Sequence, residues 1–184
     1  MALKSTIFGA DVQISDMDRN YYANHALTLA QHPSETDERM MVRLLAFALH
    51  AHEHLAFGNG LSTDDEPDLW LKDLTGAIDT WIDVGMPDEK FVRRACGRAK
   101  QVFIYAYGGR VVDMWWQGVA AKLAKCDNLS VYDLSTQTTK ALAQLAGRNM
   151  KLQCTIQDGE VWLGSDKETV KVEWVSVKSL VANN

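Results

Sequence analysis

The chain has 184 residues, of which 47% are hydrophobic and 23% are charged, and its formal net charge is −5. A chain of this size and composition is expected to bury a core of its own and to fold as one domain over 1–184. No apolar run approaches the roughly 20 residues of a membrane span, and the acidic balance argues against a protein that coats nucleic acid through charge alone.

The first 32 residues predict an antiparallel hairpin. Apolar and polar residues alternate in STIFGADVQIS and again in YYANHALTLAQH, and DMDRN between them supplies turn residues. The start of the sequence lacks the apolar segment of a secretory signal, and the three cysteines are odd in number and have no CxxC spacing. These features predict a cytoplasmic protein with reduced thiols and no membrane partner.

A helix is predicted from Ser34, a capping residue with Asp37 in the capping-box position, to about His52. At about 100° per residue, Glu38 falls among the apolar positions and is expected to be the acid that turns inward. The alternative for Glu38 is a structural pairing with an arginine near the helix start. The expected polar side carries Glu35, Arg39, Arg43 and His50.

The remainder of the chain predicts a mixed α/β architecture. Strands are expected in LAFGNG, in both arms of PDLWLKDLTGAIDTWIDVG, in QVFIYAYGG and in LSVYDLS, and helices in PDEKFVRRACGRAK, VVDMWWQGVAAKLAK and STQTTKALAQLAG. The tail, MKLQCTIQDGEVWLG and TVKVEWVSVK, predicts three strands, the first two joined at an Asp158-Gly159 turn. Residues 33–146 are expected to form a core, and the terminal strands in 1–32 and 149–178 an additional antiparallel sheet.

The segment 67–85, PDLWLKDLTGAIDTWIDVG, places several carboxylates where a sheet normally buries apolar side chains. A two-residue turn at Thr75-Gly76 would make it a hairpin with a defined register. The facing pairs are then Asp68 with Asp83, Trp70 with Trp81, and Lys72 with Asp79. Since side chains alternate along a strand, these six share one face, and the apolar residues between them take the other.

Asp68 and Asp83 are therefore expected side by side at the open end of the hairpin. Directly opposed residues have Cβ atoms about 4.5–5.5 Å apart, where like charges are destabilising. Mg²⁺ or Mn²⁺ would remove the conflict, because Mg²⁺ is bound through one or two carboxylates and completes its octahedron with waters and substrate phosphates. In the alternative interpretation the register is shifted by one residue, Asp68 only ends its strand, and Asp83 faces solvent.

Several motifs resemble those of known families. Pro67-Asp68 at a strand start, followed across the hairpin by Asp83-Val84-Gly85, is similar to the PD-(D/E)XK signature of restriction-endonuclease-like nucleases. The segments HPSETDERM, DDEPDLWLKDLTG, WIDVGMPDEK, WWQ, LSV and TIQDG together resemble the YaeQ family of bacterial proteins, over essentially the whole chain. The resemblance implies a mixed α/β fold with a restriction-endonuclease-like core, and a family whose activity is uncharacterised.

In the nuclease signature a lysine stands two residues after the second acid, and this chain has Gly85 there. Two residues are expected to supply the missing positive charge. Lys72 lies on the acid-bearing face of the hairpin, and Arg94 lies on the following helix, where a permanently protonated arginine would clamp phosphate. Because nuclease folds often add an acid from the first helix, the resemblance also makes Glu38 a third metal ligand.

Two functions are expected from these residues. The first is a Mg²⁺- or Mn²⁺-dependent nuclease, with Asp68 and Asp83 as metal ligands, Glu38 assisting, and Lys72 or Arg94 in place of the lysine. The second is a catalytically degenerate descendant that binds nucleic acid or a protein partner through the same cleft. The paired acids favour the first function, whereas Gly85 and the acidic net charge favour the second.

Overall fold

The computed structural model describes residues 4–59 and 65–179. The chain forms two compact units, each assembled from two stretches of sequence. The first unit comprises Met1–Ala51 and Gln137–Glu173, and the second comprises His52–Thr136 and Trp174–Asn184. Within the described residues, no helix is both long enough and apolar enough to cross a membrane.

The type and order of the elements confirm the mixed α/β architecture. In chain order they are β1 (Thr6–Asp16), β2 (Tyr21–Gln31), α1 (Asp37–Leu49), β3 (Leu55–Phe57), β4 (Leu69–Lys72), β5 (Ile78–Val84), α2 (Glu89–Arg98), β6 (Ala99–Tyr107), α3 (Arg110–Leu123), β7 (Leu129–Leu134), α4 (Thr136–Gln144), β8 (Asn149–Gln157), β9 (Glu160–Gly164), β10 (Thr169–Val172) and β11 (Trp174–Lys178). The strands form a five-stranded sheet of order β10-β9-β8-β1-β2 and a six-stranded sheet of order β11-β7-β6-β5-β4-β3.

The five-stranded sheet of the first unit contains the predicted N-terminal hairpin. β1 and β2 pair antiparallel without a register shift, from Thr6 opposite Gln31 to Asp16 opposite Tyr21. β1 also pairs with β8 in parallel, so the sheet is mixed and not purely antiparallel as expected. Alternate residues of β1 and β8 are buried, as in a sheet with one core face. They are Phe8, Ala10, Val12, Ile14, Met150, Leu152, Cys154 and Ile156.

The predicted turn between β8 and β9 is confirmed. Asp158 and Gly159 have φ values of 53° and 76°, and a tight type I′ hairpin turn requires positive φ at both central residues. Their backbone N–H groups donate to the Asp18 carboxylate at 2.7 and 2.9 Å. The turn between β8 and β9 is thereby fastened to the turn between β1 and β2.

The C-terminal segment TVKVEWVSVK forms two strands in different sheets, where the sequence predicts one strand in the additional sheet. β10 pairs with β9, whereas β11 pairs with β7 of the six-stranded sheet. The strand breaks at Glu173, whose backbone N–H donates to the Thr138 hydroxyl at 3.0 Å. At this residue a side chain of α4, and not a neighbouring strand, accepts the backbone hydrogen bond. The alternation of residue types in the sequence does not reveal such a side-chain contact.

Helix α1 begins later than predicted and has a different buried face. Thr36, and not Ser34, is the N-cap, and its side chain accepts the Arg39 backbone N–H at 3.1 Å. Every residue from Met40 to Ala48 is buried. The expected division of the helix into an apolar and a polar side therefore fails over this stretch, because the helix is covered on all sides.

The buried acid near the start of α1 is Glu35, which the sequence places on the polar side, whereas Glu38 is half-buried. Arg43, also expected on the polar side, is buried and donates to Glu35 from Nε at 2.7 Å and from Nη2 at 2.8 Å. Arg39 adds an ion pair to Glu35 at 2.9 Å, and Arg43 also donates to the Ala30 carbonyl at 3.2 Å. These charge-assisted hydrogen bonds offset the free-energy cost of burying the charges of Glu35 and Arg43.

The six-stranded sheet of the second unit has a parallel centre, β5-β6-β7, with antiparallel strands on both sides. α2 and α3 are the crossovers that parallel neighbours require. They share a buried cluster with β5, β6 and β7, made of Trp81, Val92, Ala95, Ala99, Val102, Ile104, Leu123, Leu129 and Val131. β5, which carries Asp83, therefore lies between β4 and β6 in the packed part of the sheet.

We predict that Glu35→Gln destabilises the protein by about 3–5 kcal/mol, because it leaves the buried Arg43 guanidinium without its full counter-charge. Urea-induced unfolding of the variant and the wild type gives the difference. Glu38→Gln, three residues later in the first turn of α1, is the matched control and is expected to change the free energy of unfolding by no more than about 1 kcal/mol. Equal effects of the two substitutions would contradict the assignment of Glu35 as the buried acid.

Candidate functional site

The β4–β5 hairpin has the predicted register over its open half. Leu69 pairs with Ile82, Trp70 with Trp81, and Leu71 with Thr80. The two indole rings meet edge to face, with centroids 6.0 Å apart, in the same direct cross-strand contact that the sequence predicts. The register that places Asp68 beside Asp83 is therefore confirmed at the three pairs nearest to the acids.

The register shifts between Leu71 and Lys72, and the predicted pairing of Lys72 with Asp79 is wrong. Lys72 lies opposite Ile78, and its ammonium stands 3.7 Å from the centre of the Trp70 ring. Asp79 instead pairs with Lys100 at 2.8 Å, and the hydrogen bond to Asp79 raises the pKa of that lysine.

The shift arises in the connection, which is longer than the predicted two-residue turn at Thr75-Gly76. Asp73 Oδ1 accepts hydrogen bonds from the Thr75 backbone N–H, the Thr75 hydroxyl and the Ala77 backbone N–H, at 2.8, 2.6 and 3.0 Å. The hydrogen bond from the Thr75 hydroxyl is the main cause of the lowered pKa of Asp73. Aspartate side chains favour turns through such local bonds, and this one organises five residues instead of two.

Asp68 and Asp83 are both buried, with exposed fractions of 4% and 6%, and each is hydrogen-bonded to the strand of the other. The Val84 backbone N–H donates to Asp68 Oδ2 at 2.8 Å, and the Asp68 backbone N–H donates to Asp83 Oδ1 at 3.3 Å. The Trp81 indole N–H donates to Asp83 Oδ2 at 2.7 Å. The two carboxylates are thus neighbours in fixed orientations, which is the arrangement that the sequence predicts for a cation site.

The backbone at Gly85 is specific for glycine. Its φ is +99°, in the left-handed region that residues with a side chain rarely adopt, and its N–H donates to the Tyr105 carbonyl at 2.9 Å. A lysine at this position would strain the backbone even though the space beside it is open. The chain therefore lacks the lysine of the nuclease signature at a position whose backbone conformation disfavours any side chain.

Arginines of α2 lie near the acid-bearing strands of this unit. Arg94 pairs with Asp65 Oδ1 at 3.3 Å, and Arg98 donates to the Asp65 carbonyl at 2.9 Å. The Arg98 guanidinium also lies 5.0 Å from the centre of the Trp81 ring, the same ring that donates to Asp83. Arg94 is exposed, so its charge is accessible to an anion from solvent.

Glu38 belongs to the first unit, and Asp68 and Asp83 belong to the second. Its role as a third ligand stays a prediction. Among residues 4–59 and 65–179, no group of three or more histidine, cysteine, aspartate or glutamate side chains is arranged to hold a metal ion. Of the three predicted metal ligands, the structure brings together the two aspartates of the hairpin.

Sequence reasoning missed two features of the second unit. The Trp81 indole was predicted only as a partner of Trp70, and its hydrogen bond to Asp83 two residues later on the same face was available from the alternation. Asp133 and Asp113 form a second acidic neighbourhood, in which burial first and the charge of Asp113 second raise the pKa of Asp133. An aspartate inside the apolar strand LSVYDLS was the available signal.

A family model described as "YaeQ protein" matches residues 1–174. The chain belongs to the YaeQ family. It is 46% identical to the "Uncharacterized protein YaeQ" of Salmonella typhi over 173 residues, which cover 94% of this chain and 96% of the relative. The protein of the same description from Escherichia coli strain K12 is 46% identical over 172 residues, 94% of this chain and 95% of the relative.

Two solved structures show the same fold. The crystal structure of the YaeQ protein from Xanthomonas axonopodis pv. citri superposes with a TM-score of 0.90 at 52% identity, covering 95% of this chain and 99% of that one. The YaeQ protein from Pseudomonas syringae superposes with a TM-score of 0.91 at 34% identity, covering 95% and 97%. The two mixed sheets and four helices of the described residues therefore form the fold of the YaeQ family, and the names of these relatives state no activity.

We predict that Trp81→Phe lowers the free energy of unfolding by about 1.5–3 kcal/mol, because it removes a donor to the buried Asp83 carboxylate while keeping an aromatic ring. Trp115→Phe is the matched control. The Trp115 indole donates to a neutral acceptor, the Pro87 carbonyl, at 3.0 Å, and its loss is expected to cost about 0.5–1.5 kcal/mol. Urea unfolding measures both values, and a larger cost at Trp115 would contradict a charged acceptor at Asp83.

Proposed function

We propose that Asp68 and Asp83 hold a divalent cation, Mg²⁺ or Mn²⁺, and that the protein hydrolyses phosphodiester bonds in nucleic acid at this site. The observation that carries the proposal is a pair of hydrogen bonds, in which Asp83 accepts the Asp68 backbone N–H and Asp68 accepts the Val84 backbone N–H. These bonds keep the two carboxylates together. The two aspartates belong to Pro67-Asp68 and Asp83-Val84-Gly85, the segments that resemble the PD-(D/E)XK signature.

The donor chemistry of the pair fits a hard divalent cation. Carboxylate oxygens are the preferred protein ligands of Mg²⁺, which uses one or two of them and fills its remaining positions with water and phosphate oxygens. The Trp81 N–H fixes the orientation of Asp83, and the Val84 N–H fixes that of Asp68. Such outer contacts hold a ligand in place and raise the affinity of a metal site.

A bound cation of this kind polarises a phosphodiester and lowers the pKa of a coordinated water. The residues of the chain have two further tasks, to neutralise the phosphate and to orient it. Lys72 and Arg94 are exposed, positively charged and in the same unit as the acids. We assign these tasks to them, because Gly85 stands where the nuclease signature has a lysine. Arginine stays protonated, so Arg94 serves as a clamp and not as a base.

A second candidate function is supported by the conformation of Gly85. Because φ of +99° disfavours any side chain there, the position of the catalytic lysine is closed to lysine. A descendant of a nuclease that has lost catalysis would still use the same surface to bind nucleic acid or a protein partner. In this alternative the aspartate pair stabilises the hairpin and binds no substrate.

Calorimetric titration with Mn²⁺ tests the cation site. We expect Asp83→Asn to weaken binding at least about tenfold, because the substitution removes one of the two charged ligands. Asp79→Asn is the control, since Asp79 lies on the same strand and pairs with Lys100, and it is expected to bind Mn²⁺ like the wild type. Binding of equal strength in the wild type and Asp83→Asn would remove the proposed site.

Cleavage assays separate the enzyme from the binding protein. With Mg²⁺ or Mn²⁺ we expect the wild type to cleave at least one of duplex DNA, single-stranded DNA and single-stranded RNA, and Asp83→Asn to lose that activity. Cleavage that Asp83→Asn leaves unchanged would come from a contaminant and would contradict the proposal. Binding of nucleic acid without cleavage, in the presence of bound Mn²⁺, would favour the second candidate function.

A further inference from the structure

We propose that β2 is an interaction surface through which two copies of this chain pair, strand against antiparallel strand. β2 is the outermost strand of the five-stranded sheet and has β1 as its neighbour. Its eleven residues, Tyr21–Gln31, run without a register shift along β1. At about 3.3 Å per residue, they present an edge about 36 Å long.

Over most of its length, β2 lacks the sequence features that normally prevent pairing at a sheet edge. The strand YYANHALTLAQ contains no lysine, arginine, aspartate, glutamate or proline, and no bulge interrupts it. Edge strands of monomeric proteins are usually short, charged, bulged or covered, because an open ladder otherwise recruits another strand. An uncharged edge of this length is the exception that intermolecular pairing explains.

The other edges of the two described sheets carry such protection. β10 has four residues, one of them Lys171. β3 has three residues, and β11 has a register shift between Ser176 and Lys178. Protection is thus present at these three edges and missing over residues 22–28 of β2. This contrast indicates that the open edge of β2 has a role, because the protein does not leave its sheet edges open in general.

The hydrogen-bonding groups that face outward can be identified from the neighbouring contacts. The Gly9 N–H donates to the Arg148 carbonyl on the β8 side, so odd-numbered residues of β1 point to β8 and even-numbered ones point to β2. Since Ala10 pairs with Leu27, the odd-numbered residues of β2 bond to β1, and the even-numbered ones face the open edge. The Ala30 carbonyl, which accepts from Arg43, agrees with this pattern.

Tyr22, Asn24, Ala26 and Thr28 are therefore the residues whose backbone groups face the open edge, and all four are exposed. In the described part of the chain, Asn24, Ala26 and Thr28 make no hydrogen bond beyond their own sheet. Arg43 already occupies the Ala30 carbonyl. The free edge accordingly spans 22–28 and ends where the arginine of α1 caps it.

A second copy of the same strand fits this edge. Closed dimers commonly use the same patch on both subunits, related by a two-fold axis. An axis at Ala26 places Ala26 opposite its own equivalent and Asn24 opposite Thr28, which gives about six backbone hydrogen bonds. No like charges meet, the small side chains allow close approach, and the two strands have equal length. Addition of a strand to an open edge is a common recognition mode.

Sedimentation velocity of the full chain over about 5–500 μM tests the pairing, because an interface of one strand pair is small and is expected to be weak. We expect the average mass of the wild type to rise towards that of a dimer. Ala26→Lys would place two ammonium groups face to face at the two-fold axis and is expected to weaken the dimer at least about tenfold. Gln13→Lys adds the same charge to the same exposed sheet face one strand inward, opposite Asn24, and should leave the dimer intact.

Cross-linking tests the register and remains informative if Ala26→Lys fails to fold. Hydrogen-bonded residues of antiparallel strands have Cα atoms about 5.5 Å apart, which suits a disulfide. We expect mild oxidation to convert Ala26→Cys, and not Gln13→Cys, into a covalent dimer on a non-reducing gel. A wild type that stays monomeric to 500 μM, a dimer that Ala26→Lys does not weaken, or equal cross-linking of the two cysteine variants would each overturn the proposal. If the wild type is a monomer, the open edge of β2 would instead be available to a strand of another protein.

Discussion

The second unit depends on one exchange of hydrogen bonds between two neighbouring strands. Asp68 accepts the N–H of Val84, next to Asp83, while Asp83 accepts the N–H of Asp68. A shift of one residue would send one acid to the opposite face of the ribbon. Because both side chains are buried, such a shift would also leave polar groups without their partners. The exchange therefore fixes the register and the position of the acids together.

This constraint connects the hairpin to the packing around it. Trp81, whose indole fixes Asp83, is 1% exposed and belongs to the cluster that α2 and α3 share with the sheet. The orientation of the carboxylate is thus set by the core and not by solvent. Beyond Asp83, Gly85 still donates its N–H to the Tyr105 carbonyl of β6, and α2 brings Arg98 to the Trp81 ring. Buried carboxylates in a preorganised position are the physical basis of the cation site that we propose.

The sequence predicted the part of the structure that follows from local periodicity. Alternation predicted the N-terminal hairpin, and the Asp-Gly pair predicted the turn at Asp158-Gly159. The assumed two-residue turn at Thr75-Gly76 predicted Trp70 opposite Trp81 and Asp68 beside Asp83, and this register holds next to the acids although the connection itself is longer.

The errors share a different origin, because each depends on a contact between segments distant in sequence or on one polar side chain. Asp73 enlarges the turn and moves Lys72 away from Asp79. Arg43 pairs with Glu35 and becomes part of the buried helix surface, although a helical projection assigns both to solvent. Thr138 ends a strand from a different element. Residue types alone do not specify such partners, since the same polar residues are equally suited to an exposed surface.

Anomalous diffraction from a crystal soaked in Mn²⁺ is the most direct measurement of whether the aspartate pair is a cation site. We expect a peak within about 2.5 Å of oxygen atoms of both Asp68 and Asp83, with the remaining ligands supplied by water. A fully occupied Mn²⁺ elsewhere on the protein, with no peak between these two carboxylates, would show that they serve only to hold the hairpin together.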